Sequence, residues 1–84
     1  MVKPNKLYEL LRESPARVIS FREFEQLLLA FGFSARRSRG SHRAYKHPDV
    51  PELLTIQPRG KDAQPYQVRR FLSMVDEFGL EMDD

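Results

Sequence analysis

The 84-residue chain contains no cysteine. This absence excludes a disulfide framework and a thiolate metal site, and it is typical of proteins of the reducing cytoplasm. The chain also lacks an apolar run long enough to cross a membrane, and no apolar segment follows its first residues as in a signal peptide. We therefore expect one cytoplasmic domain without a membrane contact, near the lower size limit for a self-sufficient core.

The signatures of several catalytic classes are missing as well. The sequence has no nucleophile motif of the hydrolase type, no Gly-Lys-Ser/Thr phosphate loop and no paired-carboxylate site. His42, His47 and Asp49 would offer metal ligands, but strand alternation places the two histidines on opposite faces. The sequence therefore predicts neither a metal nor another cofactor.

Acidic residues are absent from positions 34–48, the most basic part of a chain whose formal charge is only +2. The basic residues of this stretch are Arg36, Arg37, Arg39, Arg43 and Lys46. Clustered cations attract nucleic acids by counterion release, with an affinity that falls steeply as salt rises. Charge alone is equally consistent with a solvated strand face.

Two stretches have the pattern of amphipathic helices. The first begins with a capping box formed by Ser20 and Glu23 and ends at Gly32. The second begins at Pro65 and ends at Gly79. Both have apolar residues at helical spacing. These residues are Phe21, Phe24, Leu27, Leu28 and Phe31 in the first stretch, and Val68, Phe71, Leu72, Val75 and Phe78 in the second.

Between these helices the pattern changes to short strands. Residues 33–39 and 42–47 are predicted strands joined by a tight turn at Gly40-Ser41, and residues 53–57 form a third strand. The order α-β-β-β-α predicts an α+β fold. Two helices would cover one face of a three-stranded antiparallel sheet, as in the double-stranded-RNA-binding domain. A short extra helix at residues 5–13 is too short to be stable alone and must dock on this core or on a partner.

His42 lies beside the predicted turn and is the candidate for chemistry on RNA. Cleavage without a metal needs a group that accepts the 2′-hydroxyl proton, and a free imidazole titrates close to neutral pH. Arg39, Arg43 and Lys46 are the nearest candidates for holding phosphate, and Gly40 lets the backbone approach it. From spacing alone, a structural or RNA-contacting role for His42 is favoured over catalysis.

Two neighbouring residues have simpler interpretations. Tyr45 offers a ring that could stack on an unpaired base, although filling the core between sheet and helices is the favoured interpretation. His47 precedes a proline, and we expect it to lie at the strand end and hold the following loop.

Taken together, these segments resemble the HicA toxins, the small ribonuclease halves of bacterial toxin–antitoxin pairs. The resemblance rests on Gly-Ser-His at 40–42, Tyr-Lys-His-Pro at 45–48 and Pro-Tyr-Gln at 65–67. The extra N-terminal helix resembles a longer branch of the family. The implied segments are an N-terminal helical extension at 1–19, a HicA-like domain at 20–80 and an acidic tail at 81–84.

The resemblance implies a metal-independent endoribonuclease that cleaves mRNA, with His42 as general acid or base. The implied partners are single-stranded mRNA and a HicB-like antitoxin. The toxin itself would be a monomer or small homo-oligomer that enters a larger assembly with the antitoxin. RNA contacts are expected from Arg37, Arg39, Gly40, Ser41, Arg43 and Lys46.

One position departs from the family pattern. Many members carry a second histidine directly after the first, and this chain has Arg43 there. An arginine attracts phosphate but does not transfer protons near neutral pH. If the paired histidines share the two proton transfers, a lysine, an arginine-bound water or solvent must supply one of them here.

Two other functions fit the same sequence. A non-catalytic RNA-binding module of this fold would bind RNA without cleaving it. An interaction domain would dock a protein through the N-terminal helix and the basic hairpin, with no salt-sensitive affinity for RNA. Cleavage that depends on His42 separates the ribonuclease from both alternatives.

Overall fold

The computed structural model describes residues 3–40 and 42–82, and for residues 37–39 it describes the backbone alone. Within these residues the elements follow the predicted order. They are helix α1 (Pro4–Glu13), helix α2 (Phe21–Ala30), strands β1 (Ser34–Arg39), β2 (His42–Lys46) and β3 (Leu54–Ile56), and helix α3 (Pro65–Phe78). None of the helices in this described part of the chain combines the length and apolar character needed to cross a membrane.

Helix α2 begins and ends as predicted. The Glu23 backbone N–H donates to the Ser20 hydroxyl at 3.0 Å, and the Ser20 backbone N–H donates to the Glu23 carboxylate at 3.2 Å. The capping box is therefore complete. At the other end, the N–H groups of Gly32 and Phe33 donate back into the last turn, the latter to the Leu28 carbonyl at 3.1 Å. This Schellman ending leads the chain directly into β1.

Helix α3 also has the predicted boundaries. Pro65 occupies its first turn, where the missing N–H costs nothing, and Gly79 follows its last residue. The Leu80 N–H then donates to the Val75 carbonyl at 3.1 Å. The predicted apolar stripe is buried as far as Val75, and Phe78 is half-buried.

The strands form one antiparallel sheet in the order β1-β2-β3, so β2 is central. Ala44 of β2 pairs with Arg36 of β1, but His42 pairs with Arg39. Without an irregularity, the residue opposite His42 would be Ser38. A β-bulge next to the turn therefore shifts the register and places a basic residue opposite His42.

Side chains alternate between the two faces of the sheet. Tyr45 of β2 and Leu54 and Ile56 of β3 are buried against the helices, whereas Thr55 is exposed on the other face. The helices contribute a set of buried apolar residues to the same core, which confirms the predicted α+β fold. This set includes Phe24, Leu27, Leu28, Val68, Phe71 and Leu72.

Helix α1 is docked on the helical layer. Leu11 is fully buried, and the Tyr8 ring packs edge-on against Phe31 with 5.1 Å between the ring centroids. Arg12 reaches α3, where its guanidinium lies 3.0 Å from the Asp76 carboxylate. The predicted docking of this short helix is confirmed.

Candidate nucleic-acid interface

His42 begins β2, directly after the turn that contains Gly40. Its side chain is exposed. Gly40 has a φ of 57°, in the left-handed region, and a Cβ built there would meet no atom within 4 Å. Gly40 is therefore bordered by open space, and the imidazole of His42 is accessible from solvent.

His47, at the other end of β2, has the opposite environment. Only 8% of it is exposed, and its ring packs edge-on against Phe33 with 5.1 Å between the centroids. Its Nδ1 accepts a hydrogen bond from the Asp49 backbone N–H at 3.0 Å, so a neutral ring carries its proton on Nε2. A Cβ added at Gly32 would lie 3.3 Å from that Nε2. The predicted role of His47 in holding the loop after the strand is confirmed.

The two histidines do not converge. His42 is exposed whereas His47 is buried, which confirms the predicted separation. Among the described residues, no cluster of histidine and acidic side chains is arranged to hold a metal ion.

Arg43 lies on the opposite face of β2 from His42, because successive strand residues point to opposite sides. Its Cζ atom lies over the Phe21 ring, 5.1 Å from the centroid, which is a cation–π geometry. Phe21 is the first residue of α2, so this contact connects the central strand to the start of a helix. Arg43 remains exposed, and its guanidinium can still reach an anion.

Lys46 shares a face of β2 with His42 and also serves the fold. It is half-buried, and its ammonium donates to the Val50 carbonyl at 2.5 Å. This hydrogen bond holds the loop between β2 and β3. The remaining N–H groups of the ammonium stay available to a phosphate.

Tyr45 belongs to the core. It is 1% exposed, and its hydroxyl donates to the Glu25 carboxylate of α2 at 2.5 Å. Burial, together with this carboxylate, raises the pKa of Tyr45 above its ordinary value, so the phenol stays neutral. The core interpretation of Tyr45 is confirmed, and the base-stacking alternative is wrong.

For some predicted RNA contacts, the structure describes no side chain. Ser41 lies outside the described residues, as do residues 83–84 of the predicted acidic tail, and Arg37 and Arg39 are described by their backbone alone. At the level of the backbone, Arg39 lies opposite His42 in the sheet.

Two cations near Arg43 were not predicted from the sequence. Arg22 of α2 and Lys61 of the turn before α3 line an open pocket of about 500 Å³ together with Arg43. Positions 22, 43 and 61 share no local pattern. Only the tertiary contacts bring them together, so no sequence signal would have identified the group.

Residues 21–75 match the family model described as HicA toxin of bacterial toxin-antitoxin. The match spans about two thirds of the chain and contains α2, the entire sheet and most of α3. The chain belongs to the HicA toxin family. Membership gives it the role of a toxin paired with an antitoxin. No curated protein and no solved structure matches the chain.

In this HicA-family chain, the matched region contains His42 and Arg43, together with the pocket residues Arg22 and Lys61. Helix α1 precedes the match and provides the extra N-terminal helix that was predicted.

Proposed function

We propose that this HicA-family toxin is a metal-independent endoribonuclease that cleaves mRNA, with His42 as its general acid or base. The antitoxin that we propose as its partner is HicB-like. One observation carries the proposal. His42 is an exposed imidazole beside the β1–β2 turn, in a stretch of residues 34–48 without acidic side chains, within the region that matches a toxin family.

The reaction needs no cofactor because RNA supplies its own nucleophile. The 2′-oxygen attacks the adjacent phosphorus, the bond from phosphorus to the 5′-oxygen breaks, and the products carry a 2′,3′-cyclic phosphate and a 5′-hydroxyl. The imidazole of His42 takes the 2′-hydroxyl proton, and solvent water gives a proton to the 5′-oxygen as it leaves. A well-placed general base of this kind contributes about a hundred- to ten-thousand-fold.

Arg39 lies opposite His42 in the sheet and is proposed to hold the scissile phosphate. Lys46 lies four residues further along the same face of β2, with its ammonium bonded to Val50, and is proposed to contact a neighbouring phosphate. Fixed cations stabilise the charge that develops on the phosphoryl oxygens. The other proposed RNA contacts are Arg37, Gly40, Ser41 and Arg43.

Single-stranded mRNA is the proposed substrate. In-line attack by the 2′-oxygen requires a backbone that can rearrange, and the regular A-form geometry of a duplex opposes this. An exposed turn on the surface of the sheet can receive such a flexible strand.

Cleavage of a defined single-stranded RNA in excess EDTA tests the proposal. We expect the wild type to produce 2′,3′-cyclic phosphate ends and His42→Ala to lose at least about a hundredfold in rate. The variant should still bind RNA and unfold at the wild-type urea concentration. His47→Asn is the matched histidine control. The side-chain oxygen of the asparagine can accept the hydrogen bond from the Asp49 N–H that His47 accepts in the wild type. The loop is therefore kept, and cleavage should stay near the wild-type rate.

Each other outcome assigns a different function. A folded wild type that binds the RNA without cleaving it would be a non-catalytic RNA-binding module. A protein with no salt-sensitive RNA affinity would be an interaction domain. Undiminished cleavage by His42→Ala would remove His42 from the reaction, and equal cleavage of a perfect duplex would contradict the single-stranded substrate.

A further inference from the structure

A second group of cations lies on the opposite face of β2 from His42. It consists of the side chains of Arg22, Arg43 and Lys61, which line the pocket of about 500 Å³. The other residues around this pocket are Ser20, Phe21, Pro58 and Gly60. None of these lining residues is acidic. The ion pairs among the described residues involve Arg12 and Arg70, not the three cations of the pocket.

The segment that contains Lys61 is hydrogen-bonded to the start of α2. The Phe21 N–H donates to the Lys61 carbonyl at 2.8 Å, and the Ala63 N–H donates to the Ile19 carbonyl at 2.9 Å. These bonds hold Lys61 beside the first turn of α2, which contains Arg22. Backbone hydrogen bonds therefore keep Arg22 and Lys61 close together.

Lys61 also lies within a tight turn of its own. Arg59 and Asp62 exchange two backbone hydrogen bonds of 2.9 and 3.0 Å across Gly60 and Lys61. Gly60 has a φ of 63°, which residues with a side chain rarely adopt. The third cation, Arg43, is held over the Phe21 ring from the sheet side. Three separate elements thus deliver one cation each to the same pocket.

We propose that this pocket binds a backbone phosphate of the RNA strand, next to the bond cleaved at His42. The inference rests on the proposed ribonuclease function. Like charges placed around one pocket repel each other, and an anion bound there offsets this repulsion. Because His42 and Arg43 are consecutive residues on opposite faces of β2, a strand that passes around the turn end of the sheet reaches both. The pocket then holds a nucleotide that flanks the scissile one.

Arg22 and Lys61 are suited to a test by substitution. Both side chains are exposed, and the hydrogen bonds that fix their positions are made by the backbone. Replacing either side chain with alanine should therefore leave the fold intact. Urea unfolding of each variant checks this point.

RNA binding is measured in the His42→Ala background, so the result does not depend on cleavage. A labelled single-stranded RNA is titrated at several salt concentrations. We expect Arg22→Ala and Lys61→Ala each to weaken binding about three- to tenfold at low salt, for all RNA sequences alike. Each should also make the plot of log affinity against log salt less steep, by about 0.7 in the magnitude of its slope, which is the value for one phosphate contact on a single strand.

Two matched variants serve as controls. Arg69→Ala and Lys6→Ala remove exposed cations of the same types from α3 and α1, outside the pocket. They should leave the slope unchanged. Inorganic phosphate, compared with chloride at equal ionic strength, should compete with RNA in the wild type and compete less in the pocket variants.

The outcomes separate this inference from the proposed function. If pocket and control variants have equal slopes while the wild type cleaves, the phosphate site is wrong and the ribonuclease stands. If the pocket variants lower the slope but the wild type does not cleave, the ribonuclease is wrong and the phosphate site stands. Inorganic phosphate that binds the wild type but not the pocket variants, while RNA affinity is equal in both, would assign the pocket to a free anion. Loss of antitoxin binding alone would make it a protein contact, and either result overturns the RNA site.

Discussion

The two ends of β2 use histidine in opposite ways. At the turn end, His42 is exposed, whereas at the other end His47 is 8% exposed and packed against Phe33. Both lie in the same basic stretch of sequence. The difference comes from their neighbours, because the loop towards Asp49 closes over the ring of His47, whereas the described residues leave His42 exposed. Location in the fold, and not residue type, decides which histidine is available for proton transfer.

Replacing each histidine by alanine gives the largest expected difference between the two ends. His47→Ala removes the packing on Phe33 and leaves the Asp49 N–H without its acceptor, so the free energy of unfolding should fall by about 2 kcal/mol. His42→Ala removes only exposed atoms, and the change should stay within about 0.5 kcal/mol. Urea denaturation at pH 7 measures both values. Equal losses would mean that the two histidines contribute alike to stability, which contradicts the expected difference.

Tyr45 extends the comparison from the ends of β2 to its buried centre. Its hydroxyl donates to Glu25, and replacing it with phenylalanine should lower the free energy of unfolding by about 1 kcal/mol at pH 7. Its pKa is raised in the folded protein, whereas the unfolded chain ionises near pH 10. The stability that this group contributes is therefore complete below about pH 10 and is lost as the pH rises further.

The pH dependence is measured by urea unfolding between pH 7 and pH 11. Tyr45→Phe should lose less stability over the alkaline part of this range than the wild type. His42→Ala keeps the Tyr45 hydroxyl, so it should follow the wild-type curve. Parallel curves for the wild type and Tyr45→Phe would show that the phenol ionises equally in both states.

Replacing Lys46 gives the smallest expected effect. Lys46 has features of both ends of β2. It lies on the face of His42, yet its ammonium is bonded to Val50 near His47. Lys46→Met keeps the buried stem and removes that hydrogen bond, which should lower the free energy of unfolding by about 0.5 kcal/mol. RNA affinity should fall by no more than about twofold, less than for Arg43→Ala, since part of the ammonium is already occupied. A loss of RNA-binding free energy larger than the loss of unfolding free energy would assign Lys46 to RNA binding at the His42 end of β2.

The element boundaries could be predicted from the sequence because their causes are local. The capping box of Ser20 and Glu23 and the stop at Gly32 involve residues only a few positions apart, and each is present in the structure. The alternation along β2 was predicted for the same reason, since successive strand residues must point to opposite faces. That rule also separated His42 from His47 correctly.

The candidate site could be predicted only in part. His42 and its basic neighbours are adjacent in sequence, so their presence beside the turn follows from the chain itself. The bulge that sets Arg39 opposite His42 depends on how two strands pair, and the position of Arg43 over Phe21 depends on how a strand packs against a helix. Neither contact leaves a pattern in the sequence.

The order of the elements, the apolar faces and the position of the basic stretch follow from local sequence, because short-range sterics, capping and burial fix these features. Which histidine is buried and which is exposed depends instead on tertiary packing. The same packing brings Arg22, Arg43 and Lys61 around one pocket. Contacts between residues about twenty positions apart form only when helices and strands pack together. The local sequence pattern does not predict that packing.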